Sequence, residues 1–406
     1  MVARFEGMKS YTYRVFNPFN SSMINTAEPA NIQAILASKF HDFDLGPNRH
    51  KGFHAMFGDG IFTADGDAWA HFRHQLRPQF ARDQISDLNS ANRHLNVLFR
   101  ALPEQDKDGW VEEADLMPLF YRFTMDVSTE FLFGESVDTQ IRTLHSLDST
   151  NYTEAQNDVD FVTALEAGQA YISWRYRMGS LFWLFNSKEF QKQCKTVKSF
   201  VDSYVQTALV KAQEKKTDNK FVFLDELVKE TQDRTELRDQ VLHLLLAGRD
   251  TTSALLSWTI LLLARHPSEY CSLRKTVIDT FGTIKHPRQE PTFESLKACK
   301  QLTHTLFETL RLYPLIPINA RRALKDTILP VGGGADGKSP MSVKKDEQVG
   351  YSAYVLHRRK DLWGEDAMSW RPGRWEGRKL GWDFVGFSGG PRICLGRKFD
   401  FSLCVE

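Results

Sequence analysis

Apolar side chains recur at helical spacing along most of the chain, whereas the alternating pattern of a strand is confined to short stretches. In AEPANIQAILASKF, Pro29 stands in the first turn of a predicted helix with one apolar face. A second helix begins at Asp67, and the pattern is helical again from Gln84 to about Val210. Strand-like alternation follows Pro340 in MSVKKDEQVGYSAYVL. The pattern predicts a mainly α fold with a small β region.

The longest predicted helix runs from about Thr235 to His266 and is apolar nearly all round, which is typical of a central helix. Its apolar run is long enough to span a bilayer, but it contains His243, Arg249 and Asp250, and a central Arg or Asp costs about 2.5–3.5 kcal/mol on insertion. We therefore expect a buried core helix. Its middle, AGRDTT, is rich in poor helix formers, which indicates either a kink or a functional use.

Glycine-rich stretches predict loops and raise two alternative functions. Gly46 to Gly66 is expected to be a loop. Gly332 to Ser339 fits the P-loop pattern G-x-x-x-x-G-K-[ST], and FVFLDE at 221–226 looks like an acidic residue after a strand, so nucleotide hydrolysis is an alternative. A P-loop needs a helix directly after it, whereas Pro340 and an alternating segment favour a hairpin. GFSGG fits an esterase elbow with Ser388 as nucleophile, but no histidine follows His357.

Composition is that of an ordinary globular protein, with 42% hydrophobic and 25% charged residues. The net charge of +1 gives no overall field that would attract nucleic acid. Five scattered cysteines without CxxC spacing argue against a disulfide framework and structural zinc. The histidines His71 and His74 are interpreted as solvated, because no third metal ligand is evident. We expect one domain over residues 1–406.

The segment FSGGPRICLG predicts a loop that presents one thiolate to a metal. Gly389 and Gly390 allow unusual backbone angles, and Pro391 stiffens the exit from the turn. Cys394 stands where the chain is predicted to enter a helix, whose free N–H groups stabilise an anionic sulfur. The other interpretation is that Cys394 is a small buried apolar residue.

Three neighbours of this cysteine suit a flat, metal-bearing ligand. Gly396 lacks the Cβ that would crowd such a ligand, Phe387 offers an aromatic wall, and Arg392 offers a cation for a buried carboxylate.

Two further pairs of polar or aromatic residues are spaced so that both members lie on one face of a predicted helix. Glu308 and Arg311 share a helix face among apolar neighbours, and a buried pair of this kind demands further partners, for which Arg374 in WRPGRW is the candidate. Trp69 and Arg73, one turn apart, can direct an indole N–H and a guanidinium to one acceptor. The alternative for this second pair is a surface helix with a half-buried tryptophan.

The spacing F-x-x-G-x-R-x-C-x-G resembles the haem-ligand signature of the cytochrome P-450 monooxygenases, with every specified position filled. The order of E-x-x-R, the P-x-R segment and the cysteine loop resembles the core beneath the haem in that family, and AGRDTT resembles its oxygen-activation motif. The resemblance implies the cytochrome P-450 fold, with haem b bound through Cys394 as metal ligand. It implies cofactor-binding roles for the following residues: Trp69, Arg73, Arg321, Phe387, Arg392, Cys394 and Gly396.

The resemblance also implies roles for residues of the long helix and the strand region. That helix is expected to loosen at AGRDTT, where Asp250 and Thr251 would relay protons as catalytic residues. Trp69, Arg73 and an arginine at 321 or 322 would bind haem propionates. Glu308, Arg311 and Arg374 would have a structural role.

The implied reaction is insertion of one oxygen atom from O2 into a C–H bond. Electrons would come from NADPH through NADPH-cytochrome P-450 reductase, docking at a basic patch of Arg378, Lys379, Arg397 and Lys398. GDGIFTADG, VGGGADGKSP and SAYVLHRRKDLWGEDA look like the fungal branch that hydroxylates alkanes and fatty acids at or near the terminal carbon. By the same resemblance, we expect a long apolar substrate and a location at the cytosolic face of the endoplasmic reticulum membrane.

Both ends are shorter than the family pattern. By the same resemblance, we expect the N-terminal membrane anchor and the C-terminal segments that wall the substrate pocket to be missing, and the fold to be incomplete at its C-terminus. A truncated, non-catalytic relative is therefore the main alternative function.

Overall fold

Helices make up most of the computed structural model, which describes residues 5, 10–16, 22–80, 88–111, 113–147, 156–214, 221–283 and 285–397. The predicted mainly α fold with a small β region is confirmed. The helices are α1 Pro29–Gln33, α2 Pro47–Phe57, α3 Gly66–Leu76, α4 Asn89–Arg100, α5 Leu116–Phe133, α6 Thr139–Leu147, α7 Gln156–Arg177, α8 Lys188–Gln213, α9 Phe223–Glu230, α10 Arg234–Arg265, α11 Pro267–Phe281, α12 Phe293–Ala298, α13 Lys300–Leu312, α14 Ala353–Leu356 and α15 Lys360–Trp363.

Short irregular helices extend or link these elements. A π-helical turn continues α1, and single 3-10 turns occur elsewhere; their bounds are Ala34–Ser38, Phe40–Asp42, Pro78–Phe80, Gly179–Phe185, Pro372–Trp375 and Gly390–Arg392. Pro29 stands at the start of α1, as predicted, because its missing N–H would be unbonded there in any case.

The strands form a five-stranded mixed sheet and a separate hairpin. They are β1 Thr12–Phe16, β2 Ser22–Thr26, β3 Phe43–Asp44, β4 Ile318–Ala323, β5 Thr327–Gly333, β6 Ser339–Val343 and β7 Gln348–Ser352. The sheet order is β1-β2-β7-β4-β3, in which β2 and β7 are parallel and the other neighbours are antiparallel. The side chain of buried Asn31 donates to the Thr12 and Thr26 hydroxyls and to Val331 O at 2.9–3.1 Å, which fixes α1 to strands of both groups.

The chain divides into two compact units, Met1–Gly46 with Trp258–Arg397, and Pro47–Ser257. The first unit holds all the strands, and its core joins α1 to the sheet through buried residues such as Ile24, Ile32 and Val349.

The second unit is helical and is packed largely through aromatic side chains. The rings of Phe161 and Phe200 stack at 3.9 Å, and those of Phe133 and Tyr204 stack at 4.3 Å. The first half of α10 is buried, as expected for a core helix. None of the helices in the described part of the chain has the length and apolar character needed to cross a membrane.

Two predictions of local structure are wrong. Residues Gly46 to Gly66 contain the helix α2, because Pro47 starts a helix well and Gly52, Met56 and Phe57 bury one face of it. FVFLDE does not form a strand, since Phe223–Glu230 is a helix whose Phe223, Leu224 and Leu227 are buried.

The structure also contradicts the P-loop alternative. Gly332 to Ser339 connects the antiparallel strands β5 and β6, so a strand rather than a helix follows the glycines. Without a helix N-terminus at this point, the backbone lacks the N–H groups that would hold phosphates. The hairpin interpretation is confirmed.

Candidate active site

The loop that carries Cys394 is held in one shape by its own backbone. Ser388 N–H donates to Val385 O at 2.9 Å, Ile393 N–H to Gly390 O at 3.1 Å, and Cys394 N–H to Phe387 O at 3.1 Å. Ser388 has a φ of 62°, in the left-handed region that favours glycine, so the turn is sharp. The predicted helix entry begins at Arg397, and its continuation lies outside the described residues.

Gly390 sets the close approach of this loop to the π-helical turn Ala34–Ser38 that continues α1. Its φ is +64°, and a Cβ there would collide with the carbonyl oxygen of Leu36. A Cβ on Gly389 would lie 2.5 Å from the Trp382 ring. Both glycines are therefore required by packing as well as by backbone angle.

Cys394 differs from the buried cysteines of the chain. It is exposed, whereas Cys194 and Cys299 are buried, and burial raises the pKa of the Cys194 thiol to about 11. The fifth cysteine, Cys404, lies outside the described residues. The interpretation of Cys394 as a buried apolar residue is therefore wrong. Phe387, Arg392 and Gly396 flank it as partly buried residues.

The predicted partners Glu308, Arg311 and Arg374 are in direct contact. Glu308 and Arg311 have no exposed surface and form two parallel hydrogen bonds of 2.8 Å. Arg374 Nε donates to Glu308 Oε1 at 3.1 Å.

Two further donors bond the buried carboxylate of Glu308. Trp375 Nε1 donates to Glu308 Oε2 at 3.0 Å, and the backbone N–H of Arg371 donates to Oε1 at 2.9 Å. Five hydrogen bonds thus offset the desolvation of one carboxylate. Trp375 was missed in the sequence, although its place next to Arg374 is a usable signal.

Arg311 extends the cluster toward the segment that leads to the cysteine loop. Its Nη1 donates to His357 O at 2.7 Å and to Ala367 O at 2.6 Å, and its Nη2 donates to Ser369 O at 3.0 Å. One buried guanidinium therefore holds three points of the chain between β7 and the 3-10 turn that contains Arg374.

His357 links the end of α13 to the start of the cysteine loop. Its Nε2 accepts from Val385 N–H at 2.9 Å, so its Nδ1 carries the proton and donates to Arg311 O at 3.1 Å. Burial, together with the charge of Arg311, lowers the pKa of His357 to about 3. The ring is therefore neutral at physiological pH. Nothing in the sequence pattern pointed to this residue.

Arg321 and Arg322 point to opposite faces of β4 and differ in their partners. Arg322 bonds Asp44 at 2.7 Å and Asp346 at 3.1 Å. Arg321 is 5% exposed and donates to the Ala320 carbonyl at 2.8 Å, and it has no carboxylate partner among the described residues. A buried cation without an anion suits a carboxylate-bearing ligand. This contrast favours Arg321 over Arg322.

In the second unit, the centre of α10 stays α-helical through AGRDTT rather than loosening. Thr251 Oγ donates to Ala247 O at 2.7 Å, and Ser253 Oγ donates to Arg249 O at 2.9 Å. A Cβ on Gly248 would lie 3.0 Å from the Ser128 hydroxyl, so close packing on α5 accounts for this glycine.

Asp250 borders a cavity of about 820 Å3 between α5, α6, α7 and α10. Its carboxylate accepts from Gln169 at 2.9 Å and from Arg249 at 3.3 Å, and Arg249 also pairs with Glu166. Burial raises the pKa of Asp250, against the opposing effect of Arg249. A carboxyl group of this kind can exchange protons nearer to neutral pH than an exposed one.

Trp69 and Arg73 lie together on α3, as their spacing predicted. Trp69 is buried, and the Arg73 guanidinium lies 5.8 Å from the centre of its ring. The half-buried surface tryptophan of the alternative interpretation is not observed.

Comparison with known proteins assigns the family. The cytochrome P-450 family profile matches residues 11–400. Cytochrome P-450 monooxygenase g430 of Fusarium sp is 48% identical over 407 residues, covering 98% of this chain and 71% of that protein. Cytochrome P-450 52A5 of Candida maltosa is 46% identical, covering 95% and 73% of the two chains, and cytochrome P-450 52A1 of Candida tropicalis is 43% identical, covering 93% and 69%.

The chain belongs to the cytochrome P-450 family. It is therefore an oxidoreductase of the monooxygenase class, and membership of this P-450 family implies haem, a redox partner that supplies electrons, and a hydrophobic substrate.

Replacement of Glu308 tests the energetics of the buried cluster. In Glu308→Gln, an amide N–H2 faces the donors of Arg311 and Arg374, and the buried Arg311 loses its anion while Arg374 keeps Asp366. We therefore expect a loss of about 3–5 kcal/mol in the free energy of unfolding. Urea unfolding followed by circular dichroism measures this loss.

The matched control for that replacement is Glu365→Gln. The Glu365 side chain is 88% exposed and pairs with Lys360 at the surface, so its removal should cost less than about 1 kcal/mol. Equal losses in the two variants would show that the buried cluster is not a major source of stability.

Acidification tests the neutral state of His357. Because its pKa is near 3 in the folded chain and about 6.5 when unfolded, the unfolded state binds more protons between these values, and stability falls as pH falls below about 6.5. We expect His357→Gln, which keeps a donor and an acceptor, to weaken this dependence by up to about 1.4 kcal/mol per pH unit.

The measurement is the unfolding free energy at several pH values between 6.5 and 5, for wild type and variant. Exposed His41 provides the control, since His41→Gln should keep the wild-type slope. An unchanged slope in His357→Gln would contradict the assignment of a buried neutral imidazole.

Proposed function

We propose that this P-450 inserts one oxygen atom from O2 into a C–H bond of a long apolar molecule, an n-alkane or fatty acid, at or near its terminal carbon. The observation that carries the proposal is the exposed Cys394 on a rigid loop in which all the signature positions are filled. An exposed thiol on a loop that is held by three backbone hydrogen bonds is suited to ligating a metal rather than to filling a core.

Haem b is the group that these residues fit. Cys394 would ligate the iron, flanked by Phe387, Arg392 and Gly396. Arg321 is buried, and the residues that the structure describes give it no carboxylate partner, which supports binding of a haem propionate. Trp69 and Arg73 would bind a propionate through the indole N–H and the guanidinium, in keeping with their contact on α3.

When bound, the haem supplies activation of O2 and the oxidising chemistry, and an anionic sulfur ligand favours O–O cleavage. The residues of this chain supply placement and protons. Glu308, Arg311 and Arg374 hold the segment before the loop, and His357 fixes Val385 at its start.

Asp250 and Thr251 are the proposed proton relay. The raised pKa of Asp250 suits a carboxyl that takes up a proton at the cavity and passes it along α10. The Thr251 hydroxyl is bonded to Ala247 O, and its oxygen lone pairs are available to accept a proton.

Electrons would come from NADPH through NADPH-cytochrome P-450 reductase. Of the basic residues expected to contact that protein, Lys379 and Arg397 are exposed, whereas Arg378 pairs with Asp383 and lies 4.0 Å from the Trp363 ring. Lys398 lies outside the described residues. Of the described residues in this patch, we propose that Lys379 and Arg397 make the interaction.

We propose a location at the cytosolic face of the endoplasmic reticulum membrane, and an exposed apolar surface supports contact with a membrane. Trp174, at the end of α7, and Leu181, Trp183 and Leu184, in the 3-10 turn after it, are each about half exposed. Tryptophan and leucine side chains presented together in this way suit the boundary between lipid headgroups and acyl chains.

Replacement of Cys394, the proposed iron ligand, tests haem binding. We expect the purified chain, supplied with haem, to show the Soret band of a thiolate-ligated haem after reduction and addition of carbon monoxide. Cys394→Ser should abolish that band, because a serine hydroxyl does not provide a thiolate. Cys271→Ser, at another exposed cysteine, should retain it.

A colourless wild-type protein would favour the alternative of a non-catalytic relative. Conversion of a steroid or terpene but no fatty acid would contradict the substrate assignment alone.

Replacement of Thr251 tests the proton relay. Thr251→Ala should keep its haem content, but hydroxylation of a long-chain fatty acid should fall by about ten-fold or more, with peroxide formed instead. The measurements are product, NADPH consumption and hydrogen peroxide. Ser257→Ala removes a similar hydroxyl-to-carbonyl bond from α10 and should keep normal coupling. Unchanged coupling in Thr251→Ala would exclude Thr251 from the mechanism.

A further inference from the structure

Two histidines stand one turn apart on the exposed side of α2. His50 and His54 are four residues apart, and the centres of their rings are 4.8 Å from each other. Their side chains are 42% and 49% exposed, so ions in solution reach both rings. Histidines at this spacing on one helix face are a recurring zinc-binding arrangement.

Asp59 brings a carboxylate to the same place from the turn after α2. Its Oδ1 lies 2.7 Å from His50 Nε2, and its Oδ2 lies 3.7 Å from His54 Nε2. One ligand atom from each of the three side chains lies within 4.8 Å of the others. A tetrahedral zinc ion with ordinary bond lengths holds its donor atoms about 3.3 Å apart, between the two measured separations.

The turn that carries Asp59 is fixed before any ion binds. Gly58 has a φ of +69°, and a Cβ there would collide with the carboxylate of Asp239 on α10. Asp59 N–H donates to that same carboxylate at 3.1 Å. The Thr63 hydroxyl donates to Gly58 O at 3.0 Å, and Phe62 N–H donates to His243 Nδ1 at 3.2 Å.

We propose that His50, His54 and Asp59 form a binding site for a divalent transition-metal ion of the zinc class. Two imidazole nitrogens and one carboxylate oxygen are ligands that such ions prefer, and water would complete the coordination. The site uses none of the residues assigned to the haem or to proton transfer.

The bound ion joins the last turns of α2 to the turn at Gly58–Thr63. Two of its ligands belong to the helix and the third to the turn, which is itself bonded to α10. The ion therefore acts as a structural clamp on α2. The His50–Asp59 hydrogen bond prepares this geometry, since it already holds two of the three ligands together.

A histidine–carboxylate contact elsewhere in the same unit provides the matched control. His71 Nε2 lies 2.8 Å from Glu236 Oε1, and the His71 side chain is 54% exposed. This contact resembles that of His50 with Asp59, but among the described residues neighbouring His74 does not join His71 and Glu236 in a three-ligand group. A simple histidine–carboxylate hydrogen bond on the surface would behave alike at both places, whereas a metal site requires all three ligands.

Zinc binding to the haem-loaded full chain is measured by equilibrium dialysis with elemental analysis. We expect one zinc per chain at the lowest concentrations that show binding. His50→Ala, His54→Ala and Asp59→Asn should each weaken that binding at least ten-fold, because loss of even an indirect partner of a metal site costs 10–100-fold. His71→Ala should bind zinc like the wild type.

Equal zinc binding in all variants, or an equal loss in His71→Ala, would overturn the proposal. Circular dichroism of each variant shows whether it is folded.

A second measurement needs no variant. Copper(II) added to the wild-type chain in one equivalent should give an electron paramagnetic resonance spectrum with coupling to two imidazole nitrogens. Coupling to one nitrogen or none would contradict a site built on His50 and His54.

Discussion

The buried carboxylate of Glu308 is the interaction on which the rest of the first unit depends. A charge without exposed surface is destabilising unless hydrogen bonds replace its lost water, and here Arg311, Arg374, Trp375 and a backbone N–H together replace it. Because the two arginines also bond carbonyls from residues 357 to 369, the carboxylate organises a long segment with little regular structure. Removing the carboxylate would take from Arg311 its carboxylate partner, whereas Arg374 would keep its ion pair with Asp366.

His357 connects the hydrogen-bonded cluster around Glu308 to the cysteine loop. One ring nitrogen accepts from the loop and the other donates to the last turn of α13, so the imidazole connects the charged cluster to Val385. The charge of Arg311 and burial both keep the ring neutral. A neutral ring has one donor and one acceptor, which is what the two contacts require.

Two cations lie in sharply different surroundings on neighbouring positions of β4. Arg322 is bonded to Asp44 and Asp346, whereas Arg321 is buried on the other face beside the Tyr351 ring. Strand alternation therefore separates an arginine that is paired within the protein from one suited to a ligand. In the helical unit, Asp250 is likewise held between a cation and an amide at the edge of a cavity, rather than neutralised by a single partner.

Much of this protein was determined by local sequence. The periodicity of α10, the hairpin after Gly332 and the joint position of Trp69 and Arg73 follow from spacing, because helix and strand geometry fix which neighbours share a face. The signature around Cys394 likewise identified the family that the comparisons show. Local sequence did not determine the contacts between residues that are distant in sequence.

Only the tertiary structure decided that, among the described residues, Arg322 rather than Arg321 pairs with carboxylates, because those carboxylates belong to Asp44 and Asp346. It alone revealed His357, whose two contacts lie 28 and 46 residues away. The structure also shows the helix α2 where a loop was expected after Gly46, because burial of one helix face outweighs a weak local helix preference. It also shows that Asp59 lies beside His50 and His54. Residue types and spacing determine which partners are chemically suitable, and folding determines which of them meet.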